Sequence, residues 1–468
     1  MTESSPSAAA DQRRTVVPTP AMVGGIVIGV FGAAFENIAV ATAMPRAAED
    51  LGGLGAYAWS FTLFIIGQLM GTAVAGRLAD RIGPVRPMYA GMAVFVVGLL
   101  VAGFAFSWPQ LLLGRWIQGL GAGAMFVSLT VIVARIFNPT HRAQVMAWMS
   151  AAWVVPAFVG PPIAGALAER ASWHWVFFSV VPLVLAAGLL VRPIVSGVSR
   201  DGLLDGSSAD TDPVPLWAPV VAAVGAIGLQ AAGQLFATDR LWWAVAAALI
   251  GVVALLIALP PMMPAGFLRF RRGLSSTVWC RLLFPGAFFG AEAFVPLMLV
   301  QTRGMGLSLA GAVLSIGAVG WAIGAWLQSQ SWVRVRRDRL ILAGVLAVFT
   351  AIALAAVPAW LSWVPGWVLA IAWSIGGLGM GLAVATTSLV VMALSPDNQQ
   401  GRNAASLQIG EGIGYAVFAG IAGSIFSSLQ IAADSQLGFG TVITAMAVVA
   451  MLAIPFALRI GAVRDQPA

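Results

Sequence analysis

A run of about twenty apolar residues is enough to cross a bilayer as a helix, since 1.5 Å of rise per residue spans roughly 30 Å of hydrocarbon. This chain contains such runs one after another. Residues 241–260 and 341–360 hold no charged side chain at all. In lipid every backbone donor and acceptor must be satisfied within the segment, so each run folds as a helix. Soluble domains carry about 25% charged residues; here the share is 9%, with mean hydropathy +0.92. The chain is expected to be an all-α integral membrane protein.

Spans are expected near 20–45, 57–78, 85–106, 109–136, 142–168, 173–192, 215–237, 240–260, 274–301, 308–332, 339–357, 363–393, 401–430 and 437–460, fourteen in all. The longest polar interruption runs from Arg192 to Asp212. The domain reading is a tail at 1–19, a six-helix half at 20–192, a linker at 193–214 and two inserted helices at 215–260. A basic loop at 261–273, a second six-helix half at 274–460 and a tail at 461–468 follow.

Charge placement orients these spans. With the N-terminus inside, Arg77, Arg81, Arg86, Arg142, Arg192, Arg269, Arg271, Arg272, Arg334, Arg336, Arg402 and Arg459 fall at the cytoplasmic side. The opposite loops receive Arg46, Arg170, Arg240 and Arg303. This bias places both termini in the cytoplasm, in a cell (inner or plasma) membrane. Trp108, Trp173, Trp175, Trp242, Trp360, Trp363 and Trp367 fall near the external span ends, where an aromatic belt is expected.

Several classes are excluded. All 25 basic residues are arginine, and a conventional P-loop needs a lysine on the β/γ-phosphates, so coupling to an ion gradient or to a partner is expected instead. One cysteine, Cys280, rules out an intrachain disulfide. His141 and His174 sit near span boundaries, so neither a metal, a cofactor nor a catalytic cluster is expected. No basic patch interleaved with stacking aromatics points to nucleic acid. An enzyme acting within the bilayer would need a nucleophile and a base within reach of each other, and none is evident.

The chain also repeats itself. Residues 116–123 read W-I-Q-G-L-G-A-G ahead of Pro139 and Arg142; residues 374–381 read S-I-G-G-L-G-M-G ahead of Pro396 and Arg402. Such a parallel repeat relates two halves by an axis along the membrane normal, with the pair near 215–260 inserted between them.

Few charges lie deep in the spans. Glu36, Glu292 and Glu411 are the carboxylates expected there, each needing a proton, a partner or water. Arg115 lies inside the fourth span with Gln118 on the same face, and Arg281 is a candidate partner for a carboxylate. Gln408 and Tyr415 extend a polar stripe through Glu411. Phe35, Asn37 and Phe289, with these neighbours, outline an apolar, aromatic cavity suited to lipophilic or cationic ligands.

Three motifs carry a resemblance. Gly76 to Gly83 read G-R-L-A-D-R-I-G, a charged link in which Asp80 can accept from backbone donors at a neighbouring helix N-terminus. Residues 111–121 read L-L-L-G-R-W-I-Q-G-L-G. Gly160-Pro161-Pro162-Ile163-Ala164-Gly165 combines helix-bending prolines with small packing residues. Together these resemble the major facilitator superfamily, and the extra helix pair resembles its fourteen-helix drug:proton antiporters. The match is approximate in places: Pro156 and Ala164 replace glycines of the third motif, and Glu36 stands where aspartate is usual. The resemblance implies two six-helix halves rocking between inward-open and outward-open states. Gly76, Asp80, Arg81, Gly83, Gly160, Pro161 and Gly165 would govern the switch, and Glu36, Glu292, Glu411 and Arg115 the proton coupling. The implied activity is proton-coupled export of a hydrophobic or cationic small molecule by a monomer. Export of a lipid, siderophore or other metabolite, proton symport, and a non-transporting receptor or scaffold are the alternatives.

Overall fold

A computed structural model describes residues 19–137, 139–200, 215–330, 332–396, 399–430 and 435–463. The described chain is helical throughout its regular structure. The first half comprises α1 (Pro20–Asp50), α2 (Trp59–Ile82), α3 (Val85–Gly103), α4 (Trp108–Ile136), α5 (Pro139–Ala151), α6 (Val154–Arg170), α7 (His174–Phe178) and α8 (Val181–Arg200). The inserted pair is α9 (Trp217–Ala237) and α10 (Leu241–Met262). The second half comprises α11 (Leu274–Glu292), α12 (Val295–Arg303), α13 (Leu307–Gln328), α14 (Arg337–Trp360), α15 (Val368–Leu394), α16 (Gln400–Gln430) and α17 (Ser435–Leu458).

Three of the fourteen expected spans are each split in two, and proline explains all three. A proline has no N–H for the carbonyl four residues before it. Pro156 leaves the carbonyl of Ala152 unserved, Pro182 that of Phe178, and Pro296 that of Glu292. The breaks fall at those places: between α5 and α6, between α7 and α8, and between α11 and α12. Other prolines do not break their helices: α1 continues through Pro45 to Asp50, and α6, α11, α14 and α17 run on through Pro161, Pro285, Pro358 and Pro455.

Two other boundaries depart from expectation. The charged stretch after Gly76 is not a loop: α2 runs on through Arg77, Asp80 and Arg81 to Ile82. Only Gly83 and Pro84 connect it to α3, and Gly83 takes φ +81°, a value that glycine adopts without strain. Downstream, α8 continues to Arg200, into the stretch read as linker; residues 201–214 lie outside those described.

Close glycine packing makes the repeat visible. Gly119 and Gly123 of α4 abut the carbonyls of Phe64 and Gln68 on α2, and Gly377 and Gly381 of α15 abut those of Gly317 and Trp321 on α13. On the other side, a Cβ at Gly121 would stand 2.7 Å from the Gly91 carbonyl, and one at Gly379 would stand 2.5 Å from that of Gly344. Hence α4 is wedged between α2 and α3 as α15 is between α13 and α14. Small residues at these crossings let membrane helices pack backbone to backbone.

The inserted pair packs on itself and, through α9, against α16 and α2. Ser424 donates to the Gln230 carbonyl at 3.1 Å, and Gly233 leaves room for the Ser424 side chain.

The two halves meet toward one end of the bundle, the end that carries Asp50, Trp59 and Leu307. There α6 packs on α13, and α2 and the turn Leu54–Ala56 pack on α16. Ser427 donates to the Gly55 carbonyl at 2.6 Å, and the Tyr57 and Phe294 rings lie 5.6 Å apart. Leu69 against Gly412 is a contact near the middle of α2. Toward the other end, α4 and α5 have no extended packing with α13, α14 or α15 among the described residues. The bundle is therefore closed at one end and open at the other.

The aromatic belt needs correction at the closed end. Trp175, Trp242, Trp360, Trp363 and Trp367 are exposed, but Trp108 and Trp173 are buried. Trp108 covers the backbone of Gly53, and Trp173 donates its indole N–H to Asp50 at 3.1 Å. Both seal the closed end rather than face lipid.

Candidate functional site

Charge in the bundle is concentrated at three places. In the first, Arg115 of α4 forms an ion pair with Glu36 of α1, and both side chains are almost wholly buried. The guanidinium also donates to the Gln118 side-chain carbonyl at 2.8 Å and to the Ser60 backbone carbonyl at 3.0 Å. It lies 4.3 Å from the centroid of the Phe64 ring, an added cation–π contact. Two polar atoms remain without a hydrogen-bond partner, Glu36 Oε2 and Gln118 Nε2. Breaking such a pair from one side costs about 3–5 kcal/mol, because the other charge is stranded.

Gln118, expected to line the cavity, is fully buried, with its backbone close against Gly98 on α3. Its role in this conformation is to hold Arg115. Phe35 is likewise buried, near Gly160, and stacks on Phe31 at 6.3 Å.

The second place is the break between α11 and α12. Glu292 is the last residue of α11, half-buried, and accepts from the Trp373 indole N–H at 3.2 Å. No cationic side chain forms an ion pair with it among the described residues. Aromatic rings pack beside it: Phe288 lies 5.5 Å from Trp373, and Phe289 stacks on Tyr415 at 5.0 Å. Tyr415 also lies within Coulombic reach of Glu292, Arg115 and Glu36, so this cluster adjoins the first across the interface between halves.

The third place joins α11, α15 and α16. Arg281 pairs with Glu411 at 2.8 Å and donates to the Thr387 hydroxyl at 2.8 Å. Arg281 is buried and Glu411 half-buried. The remaining cavity candidates are more open: Asn37 and Tyr415 are half-buried and Gln408 is exposed.

The switching residues divide between the two ends. At the closed end a Cβ on Gly165 would stand 2.5 Å from Ser308 Cα, and one on Gly311 would stand 2.8 Å from the Pro161 carbonyl. Gly160 is not under this constraint, since its nearest neighbour is a Phe35 ring carbon at 3.7 Å. At the open end Asp80 is exposed and pairs with Arg135 of α4 at 3.6 Å, so its partner here is a guanidinium within its own half. Arg81 is exposed, and Gly76 has nothing close enough to demand a glycine.

Sequence reasoning does not reach Glu169. It lies just past the apolar part of α6, and it bridges the halves by accepting from the Ser308 amide at 3.2 Å and hydroxyl at 2.7 Å. It thereby caps α13, whose first N–H groups have no intrahelical acceptor. The Ser308 hydroxyl, with the amides of Leu307 and Ser308, holds its carboxyl below the ordinary carboxylate value.

Among the described residues no three His, Cys, Asp or Glu side chains group as a metal site would require. The site thus combines one fully buried ion pair, one partly buried ion pair, one carboxylate with an uncharged donor, and an interface closed at one end.

Known proteins resemble this chain in sequence and in fold. The chain is 25% identical over 336 residues to the Multidrug transporter protein MdtP of Bacillus subtilis (strain 168), covering 70% of this chain and 61% of that protein. It is 25% identical over 347 residues to Multidrug resistance protein 3 of the same organism, covering 71% and 65%. The chain thus spans less than two thirds of the length of these relatives. Its fold matches a crystal structure of the peptide transporter POT in complex with sulfate, with TM-score 0.69 over 96% of both chains at 16% identity. These relatives and neighbours are transporters, not enzymes. The model of the Major Facilitator Superfamily matches residues 26–419, and the chain belongs to that superfamily.

Proposed function

We propose that this protein is a proton-coupled exporter of hydrophobic or cationic small molecules, working as an antiporter by alternating access. The observation that carries the reading is Glu292. It sits at a proline-induced break, beside aromatic rings, with a neutral indole as its hydrogen-bond partner. A carboxylate so placed can exchange a proton for a cation, whereas one held by arginine is already neutralised.

The same placement gives a reason for coupling. Glu292 with a proton and Glu292 with a bound monocation are both neutral pairs. An empty, ionised Glu292 would be an uncompensated charge if the halves closed over it, which costs several kcal/mol. Rocking is then favoured only when the site is loaded with one or the other.

The arginine-rich end is the open end, and the positive-inside tendency assigns it to the cytoplasm. In that state Glu292 gives its proton to cytoplasmic water and takes the substrate. Closing this end brings α2 and α16 together below Leu69 and Gly412. Asp80 would then leave Arg135 for the N-terminal end of α16, where the helix dipole favours a carboxylate. At the opposite end the α6–α13 contact, with its Glu169 cap, must part. Relatives named for multidrug transport and resistance support a drug-like substrate.

The test is substrate-evoked proton flux in proteoliposomes. A lipophilic cation should drive protons in the opposite direction in the wild type and not in Glu292→Gln. Flux that persists in that variant would refute the assignment.

A further inference from the structure

The loop joining α10 to α11 is unusually well fixed for a surface connection. Phe267 is buried, stacks on Trp279 at 4.4 Å with the rings nearly parallel, and accepts the Trp279 indole N–H at 2.9 Å through its carbonyl. Arg459, just past α17, donates to the Phe270 carbonyl at 2.7 Å, and the Gly273 amide donates to the Arg459 carbonyl at 3.1 Å. Ser276 holds the Arg271 carbonyl at 2.8 Å. Phe270 keeps φ +51°, where a bulky side chain is rarely found. A strained residue held by surrounding bonds points to a role for the geometry it fixes.

That geometry displays charge. Arg269, Arg271 and Arg272 are exposed, with Leu268 and Phe270 exposed between and beside them. The Arg271 stem lies across Gly266, where an added Cβ would meet it at 2.9 Å or less. None of the three forms an ion pair among the described residues. The sequence has no Asp or Glu from 241 to 291, so α10, the loop and nearly all of α11 carry no carboxylate. Other surface arginines do have carboxylates nearby, such as Arg46 with Asp50 and Arg336 with Asp338.

We propose that this loop is a binding site for an anionic phospholipid, independent of what the protein transports. The guanidiniums of Arg269, Arg271 and Arg272 would take the phosphate through charge-assisted hydrogen bonds, and Leu268 and Phe270 would lie along the acyl chains. The loop sits at the ends of two membrane helices, where such a headgroup is found. Bound there, the lipid would tie the inserted pair to the second half.

Native mass spectrometry of the purified full chain, offered phosphatidylglycerol or phosphatidylcholine, tests this. The wild type should retain phosphatidylglycerol preferentially. The triple variant Arg269→Gln, Arg271→Gln, Arg272→Gln should bind it roughly a hundredfold more weakly, three charges at about fivefold each. The triple lysine replacement keeps the charge and should keep most of the preference, which separates loss of the site from loss of the fold. Equal retention of both lipids, undiminished binding by the glutamine variant, or displacement of the lipid by millimolar inorganic phosphate would overturn the proposal.

Discussion

Trp373 donates to Glu292 at 3.2 Å from the position that the internal repeat assigns to Arg115. The repeat aligns Trp116 with Ser374, so the residues before them correspond, and both reach a carboxylate on the first helix of their own half. One half thus neutralises its acid with a guanidinium and the other leaves it with an indole. The two carboxylates are not equivalent.

Exchanging the partners should exchange the behaviour. Trp373→Arg is expected to hold Glu292 ionised and abolish pH-driven transport of a lipophilic cation in inverted vesicles. Trp373→Phe removes one donor to the carboxylate, and a hydrogen bond to a charged group is worth about 1.5–3 kcal/mol, or roughly tenfold to a hundredfold in cation affinity. Full pH-driven transport in Trp373→Arg would show that the indole is not what leaves Glu292 free.

The Glu36–Arg115 pair should show the asymmetry expected of buried ions. Glu36→Gln or Arg115→Gln alone is expected to lower stability by about 3–5 kcal/mol, and the double variant by less than either. Thermal unfolding of the three variants in one detergent measures this. Additive losses would mean that the two residues do not act as a pair.

Gly165 marks the contact that must part when the closed end opens. Gly165→Val puts atoms into the space held by Ser308, so it should shift the protein toward the state open at that end. Spin labels at Arg170 and Leu309 (in a Cys280→Ser background) should move apart, while a pair at Ile82 and Trp332 closes. Unchanged distances in both pairs would contradict the assignment of this interface as a gate.

Glu169 adds a pH dependence whose sign is set. Its carboxyl is held below the ordinary value by Ser308, so its cap on α13 is intact above the ordinary carboxylate range. The cap is lost as pH falls through the lowered value. The Arg170–Leu309 distance should lengthen over that acid range in the wild type. In Glu169→Gln it should be longer at neutral pH and indifferent to acid.

The fold was largely legible because its signals are local. Apolar runs place the helices, and the glycine repeat at 116–123 and 374–381 relates the halves. The breaks were only partly within reach: Pro156, Pro182 and Pro296 each sit four residues after one, but Pro45, Pro285 and Pro358 lie in unbroken helices. The pairings were not. Glu36 and Arg115 are 79 residues apart and Arg281 and Glu411 are 130 apart, and only helix packing brings them together. Trp373 carries a signal only through the repeat, as the counterpart of Arg115, because on its own a lipid-facing tryptophan reads the same way. Glu169 is a polar residue at a helix end until the fold sets it against Ser308.

The central claim is that Glu292 exchanges a proton for a cation. Proton movement in proteoliposomes of the purified protein, on addition of a lipophilic cation, measures it directly. The mechanism predicts counterflow of protons in the wild type that is lost in Glu292→Gln, with weak binding of the cation retained through the aromatic rings. Counterflow that survives in Glu292→Gln at wild-type rate would contradict it.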